Sequence, residues 1–198
     1  MLSLLSPFYC AHCIHCRLPT SHCVCEQIQS IDMPFPVMIC SHPKEWQKND
    51  NTAQWATLSS PQISRIKWHR KVELIDSEIA FDSVSTEEGQ YLLYPSEEAE
   101  DIKDVHPNIK KLWVIDGTWQ ESQKMLRQSP WLKKLAKVKI NTEHDTQLIS
   151  QFKLRRNQRG LSTMEAIACA SAGHSKIAAA GLNNNFNHFQ NTLLKLIK

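Results

Sequence analysis

The segment CIHCRLPTSHCVC, residues 13–25, separates Cys13 from Cys16 by two residues and Cys23 from Cys25 by one. Two close thiolate pairs can complete a tetrahedral Zn2+ site, and four sulfur ligands leave no position open for water, so such a metal is structural rather than catalytic. Six of the seven cysteines fall within the first 40 residues. In a reducing compartment such crowding points to metal rather than to disulfides. Cys10, His12, His15 and His22 compete as ligands, and Cys10-x2-Cys13 is an alternative register. Cys40 and Cys169 lie in apolar segments and read as core residues.

A second constellation is spread along the chain. The run KLWVIDGTWQESQKML, residues 111–126, passes from strand-like residues through Asp116-Gly117-Thr118-Trp119 into a polar, helix-favouring segment. His42-Pro43-Lys44-Glu45, Asn51-Thr52 and Leu93-Tyr94-Pro95-Ser96 also follow strand-like runs or open helices. Singly, each reads as a turn, a cap or a strand terminator. Together they gather at the C-terminal ends of predicted parallel strands, the edge where open α/β sheets bind ligands. A carboxylate there can take a proton from a reacting group, which makes Asp116 the candidate base. Thr118 and Trp119 would shape the pocket, Trp119 by stacking on a ring or by packing in the core.

The elements that must position these residues alternate. Short apolar or β-branched runs predict strands over Phe35–Cys40, Val72–Asp76, Tyr91–Tyr94, Leu112–Ile115 and Val138–Ile140. Helix-favouring segments lie at Thr52–Leu58, Ser96–Lys103 and Trp119–Arg127. Ser162-Thr163-Met164-Glu165 has the form of a capping box, opening a small-residue helix that ends near Gly173. Asn183-Asn184-Asn185 is expected to break the chain before a last helix to Lys198. This order predicts an α/β fold: one domain over residues 1–198, with a cysteine-rich head at 8–30 and a mostly parallel sheet with flanking helices over 31–198.

Composition narrows the function classes. With five glycines the chain has neither G-x-G-x-x-G nor a P-loop, which argues against a Rossmann dinucleotide enzyme or a P-loop NTPase. No apolar run approaches the ~18–20 residues of a membrane span, and MLSLLSPFY is too short and too poor in basic residues for a secretory signal. A soluble, cytoplasmic protein without a membrane partner is expected. The net charge of +3 is gathered in three groups: Arg65, Lys67, His69, Arg70 and Lys71; Lys133, Lys134, Lys137 and Lys139; and Lys153, Arg155, Arg156 and Arg159. Each is either a solvated face or a track for phosphates.

CIHCRLPTSHCVC, HPKEWQKNDNT, LLYPSEEA, IDGTWQESQKM and LSTMEA, in this order and spacing, resemble the DTW-domain family of tRNA-uridine aminocarboxypropyltransferases. The resemblance runs from about Cys13 to Gly173. It departs from the family's Tyr-x-x-Arg-like element at Phe152-Lys153-Leu154-Arg155, which leaves the functional arginine open between Arg155 and Arg156. It implies a SPOUT-like fold whose knotted C-terminal region holds S-adenosylmethionine (SAM). It also implies transfer of the 3-amino-3-carboxypropyl group to N3 of a tRNA uridine, expected at position 47, with release of 5′-methylthioadenosine. SAM would then contact Leu93, Tyr94, Pro95, Asp116, Gly117, Thr118, Ser162, Thr163, Glu165 and Ala166. The tRNA would meet Arg155 and Arg156, then His42, Lys44, Asn51 and the zinc head. The protein would work as a monomer or homodimer. The rival readings are a SPOUT-type RNA methyltransferase and a non-catalytic zinc-bearing RNA-binding module.

Overall fold

Short apolar runs closed by polar residues favour parallel pairing when both faces are to be covered, and the computed structural model has this arrangement. It describes residues 11–71, 88–105, 109–141, 151–153 and 160–196. The strands are β1 (Val37–Ser41), β2 (Ile63–Lys67), β3 (Gln90–Leu93), β4 (Glu100–Asp101), β5 (Lys111–Asp116) and β6 (Ala136–Lys139). They form one sheet in the order β2-β1-β5-β3-β6-β4, and every pairing is parallel. The helices are α1 (Pro43–Trp46), α2 (Thr52–Ser59), α3 (Trp119–Gln128), α4 (Pro130–Lys133), α5 (Thr163–Ala172) and α6 (Lys176–Leu196).

The two-residue pleat sends alternate side chains into two cores. Val37, Ile39, Leu112 and Val114 face a core with Trp55, Ile167, Phe186 and Phe189. Met38, Cys40, Leu92 and Trp113 face the other, with Met125, Trp131 and Leu132. Trp55 stacks on Phe189 with ring centroids 5.0 Å apart and is fully buried. The head is built into the first core through Cys16, Leu18 and Val24, and the Trp55 indole N–H donates to the Cys16 carbonyl at 3.3 Å.

Three sequence expectations are corrected. Ser96–Lys103 is not a helix: a turn closed by Ala99 N–H to the Ser96 carbonyl leads into β4, whose Glu100 and Asp101 lie beside Val138 and Lys139. A helix would have crowded Glu97, Glu98, Glu100 and Asp101, whereas the edge strand sets Asp101 next to a lysine. The asparagine triplet does not interrupt α6. Asn185 is buried, and its amide accepts from Gln29 N–H at 3.2 Å and donates to the Gln29 carbonyl at 2.8 Å, so its polar groups are satisfied inside the fold. Ile63–Lys67 is a strand that the sequence presents as part of a basic patch. The predicted strand Val72–Asp76 lies outside the described residues, and the expected C-terminal knot falls partly on residues 142–150 and 154–159, also outside them.

Candidate functional site

The four head sulfurs, of Cys13, Cys16, Cys23 and Cys25, all lie within 4.8 Å of one another. Cys13 and Cys25 sulfurs are 3.7 Å apart, and those of Cys16 and Cys23 are 3.8 Å apart. A tetrahedron with metal–sulfur bonds of ~2.3 Å has edges of about 3.8 Å, and these two sulfur–sulfur distances match it, so this donor set could hold Zn2+. His12, His15 and His22 are not part of the cluster, and Cys10 lies outside the described residues. The backbone N–H of Cys16, opposed by burial and helped by that of His15, lowers the Cys13 thiol pKa to about 6. Arg17 follows in a left-handed conformation (φ 62°). Its guanidinium leaves the head, donating to the carbonyls of Trp46 and, at 3.1 Å, Lys48.

At the C-terminal edge of the sheet, register assembles a second centre. Ser41 ends β1 directly opposite Asp116 at the end of β5, and Arg65 of β2 is the partner of Ile39 two residues earlier. The pleat therefore turns Ser41, Arg65 and Asp116 to one face. Asp116 Oδ2 accepts from Ser41 Oγ at 2.7 Å, Asn51 Nδ2 at 3.1 Å and Arg65 Nη2 at 3.2 Å. Its Oδ1 accepts from Thr163 Oγ1 at 2.8 Å. Four side-chain donors thus meet a carboxylate that has about four lone-pair sites. Arg65 also donates to Ser41 Oγ and Gln54 Oε1 and lies 4.5 Å above the Trp46 ring. Its side chain is only 3% exposed, and burial pulls its pKa down against the opposing charge of Asp116.

Two cavities open on either side of this wall. The larger, about 530 Å³, is lined mainly by apolar groups, among them Leu93, Tyr94, Pro95, Ile115, Ile140 and Ala166. The smaller, about 260 Å³, is lined by Glu45, Lys48, Asp50, Asn51, Asp116 and Thr118, among others. Gly117 and the turn Leu161-Ser162-Thr163 belong to both. A side chain at 117 would press on Glu121 Cβ at 3.2 Å, so glycine lets the first turn of α3 pack close against the end of β5 at this divide.

The structure brings most of the predicted residues to this edge, but with different tasks. Thr118 caps α3: its hydroxyl accepts from Glu121 N–H, and Glu121 Oε2 accepts from the Thr118 N–H at 2.9 Å. Burial would raise the Glu121 pKa, but the Thr118 donors, with His42 and Lys48, outweigh it and hold the carboxyl below its ordinary value. Trp119 is 54% exposed and stacks on Tyr94 at 5.6 Å, at the rim of the larger cavity. It is therefore not a core tryptophan. Glu165 is turned from both cavities, accepting the N–H groups of Ser162 at 2.8 Å and Gln151 at 2.6 Å, and so fixes the shared turn.

His42 and Asn51, expected at the RNA face, are buried with partners inside the fold. His42 Nδ1 lies 3.3 Å from Glu121, its ring stacked on Trp68, and Asn51 caps α2 while donating to Asp116. Lys44 is exposed, and Arg155 and Arg156 lie outside the described residues. Sequence reasoning missed Ser41 and Lys48, kept Glu45 only within the His42–Glu45 motif, and read Arg65 as part of a basic patch. The period-two spacing of Ile63 and Arg65 beside the exposed Lys67 was the available signal, hidden by the cluster of positive charge.

Parallel strand order with flanking helices, a four-cysteine cluster that could hold a metal ion and two cavities at the strand C-termini define the class, an α/β protein. The DTW domain profile matches residues 10–194, and the chain belongs to that family. It is 26% identical over 193 residues to tRNA-uridine aminocarboxypropyltransferase 2 of Macaca fascicularis, covering 92% of this chain. The chain spans about 60% of that relative's length. No solved structure matches it significantly. Among the described residues no helix is long and apolar enough to cross a membrane.

Proposed function

We propose that this protein transfers the 3-amino-3-carboxypropyl group of SAM to N3 of a tRNA uridine, at position 47, releasing 5′-methylthioadenosine. The observation that carries the reading is the pair of adjoining cavities, one apolar and one charged, that meet at Gly117 and Thr163 beside Asp116. The larger cavity suits an adenosine, with Leu93, Tyr94 and Pro95 on one wall and Ala166 on the other. When bound, SAM supplies a carbon activated by the attached sulfonium. The chain fixes which side of that centre meets the RNA, and positioning of this kind accounts for much of a rate enhancement.

N3 of uracil carries a proton that must leave as the new bond forms. Thr163 lines both cavities and donates to Asp116. Its hydroxyl can accept the N3 proton while passing its own to Asp116 Oδ1, so the acid receives the proton without losing its donors from Ser41 and Arg65. Asp116 is thus the final acceptor and Thr163 the group that touches the base. Trp119 offers its exposed face to a ring, and Thr118 holds the start of α3. The head carries Zn2+ as a structural ion on Cys13, Cys16, Cys23 and Cys25. The tRNA is held through phosphates by Lys44, Arg155 and Arg156, and the reacting uridine is unpaired, because base pairing occupies N3. The C-terminal segment follows a SPOUT-like knotted path, and free thiolates suit a reducing, cytoplasmic setting.

The test is mass spectrometry of nucleosides from unmodified tRNA incubated with SAM and the zinc-loaded protein. A uridine gaining the aminocarboxypropyl mass, with methylthioadenosine released, is the expected result. A methyl gain with S-adenosylhomocysteine would make it a methyltransferase. No gain despite tight tRNA binding would favour a binding module.

A further inference from the structure

The smaller cavity is not accounted for by an adenosine site. Its outer wall carries Glu45, Lys48 and Asp50, and its inner wall carries Asp116, already paired with Arg65. Lys48 Nζ lies 2.5 Å from Glu45 Oε1, with the lysine side chain 49% exposed and the glutamate 11% exposed. Burial works against the ammonium, but Glu45, Asp50 and Glu121 outweigh it and raise the Lys48 pKa. The turn bearing these groups is clamped from two directions. Arg17 holds the carbonyls of Trp46 and Lys48, and the Trp46 ring packs under Arg65. A solvated helix pair needs no such support, whereas a binding surface that must hold its shape does.

The charge pattern selects the occupant. The cavity wall itself carries three carboxylates and one exposed ammonium, with the guanidiniums of Arg65 and Arg17 set behind it, so a phosphate meets more acid than base at the lining. A uracil can offer its O4 to an ammonium and its N3–H to a carboxylate, but as a neutral group it replaces the Lys48–Glu45 ion pair with weaker contacts. A group carrying both signs on one carbon satisfies both, and it exchanges the internal Lys48–Glu45 pair for two charge-assisted contacts.

We infer that the cavity bounded by Glu45, Lys48 and Asp50 is the subsite for the α-amino-acid end of the sulfonium ligand. Lys48 binds its carboxylate, and Glu45, with Asp50, binds its α-ammonium. The inference rests on the SAM reading of the adjoining cavity.

Calorimetry with two stable nucleosides separates the subsite from that reading. S-adenosylhomocysteine carries the α-amino-acid end, and 5′-methylthioadenosine lacks it. Wild type is expected to bind the first at least about tenfold more tightly. Lys48→Met and Glu45→Gln should each weaken S-adenosylhomocysteine about 10- to 100-fold, the range for a lost charge-assisted contact. Methylthioadenosine affinity should stay within about twofold. Lys48 is half exposed, so Lys48→Met folds normally and keeps the test open if Glu45→Gln is unstable. Equal affinities for the two nucleosides in wild type, or a Lys48→Met variant that weakens both or neither, overturns the subsite while leaving the adenosine cavity standing. Failure of wild type to bind either nucleoside overturns the SAM reading, and the subsite falls with it.

Discussion

Replacing Asp116 with asparagine removes the ionic partner of Arg65 while keeping the shape of the side chain. Both members of the pair are buried, at 3% and 5% side-chain exposure, with Nη2 and Oδ2 3.2 Å apart. Removing one partner from such a pair costs about 3–5 kcal/mol, because the remaining charge stays out of water. Arg65 keeps its bonds to Ser41 and Gln54 and its place over Trp46, which sets the expected loss at the lower end, about 3 kcal/mol. For a chain of 198 residues this corresponds to a Tm lowered by roughly 6–12 °C. Arg65→Met should cost a similar amount, leaving Asp116 with three donors. The double variant should lose less than the sum of the two by about 2 kcal/mol, the coupling expected of a buried contact. Urea unfolding of the zinc-loaded protein, followed by circular dichroism, measures all three. Single losses below about 0.5 kcal/mol, or additivity within that margin, would refute the claim that this pair holds the sheet edge. The magnitude also governs any activity assay: Asp116→Asn must be assayed well below its own Tm. Lost transfer by a folded variant then reflects chemistry rather than unfolding.

The head makes a sharper claim about stoichiometry. Metal analysis should find one zinc per chain, lost on Cys16→Ser and retained in His15→Ala and His22→Ala, and chelation should lower the Tm because Leu18 and Val24 lie in the main core. Arg17→Ala keeps all four thiolates but frees the Trp46 and Lys48 carbonyls. It should therefore raise the KM for SAM several-fold at nearly constant kcat, and an unchanged KM would disconnect the head from the cavity. Glu121 governs part of the acid limb. Its folded pKa is lowered below the ordinary 4.5, so its contribution is fully present above that value and is lost as pH falls through the folded one. A pH titration of stability should show Glu121→Gln losing less stability than wild type on acidification, and parallel curves would count against the Thr118–Glu121 cap.

The sequence announces features that are local and conceals those that depend on register. β1, β3 and β5 are short, largely apolar runs ended by a polar residue or followed by Tyr-Pro, and four cysteines at tight spacing point to a metal. Arg65 is different. Its neighbours Lys67, His69, Arg70 and Lys71 make it look like one of many solvated charges, and only the pairing of β2 with β1 turns it inward to Asp116. Lys48 and Glu45 stand three residues apart in a polar stretch that names no partner. What makes them a cavity wall is Arg17, 31 residues before Lys48. Asn185 fails as a helix breaker for the same reason, since its partner Gln29 is 156 residues away.

On the two-cavity reading, the choice among the three carbons of a sulfonium follows from how its ends are held. An adenosine in the apolar cavity and an α-amino acid against Lys48 leave the sulfonium at the divide at Gly117, beside Thr163 and Asp116. The carbon chain joining sulfonium to amino acid then crosses that divide, in front of the group that receives the proton. Lys48 and Asp50, at the outer side of the same cavity, are exposed, so a uridine arriving from solvent meets this chain before it meets the apolar cavity. The methyl group has no comparable place among these contacts, since nothing charged or polar is needed to hold it. On this reading, anchoring both ends holds the carbon chain rather than the methyl toward the incoming uridine, and loss of the Lys48 anchor would release that orientation.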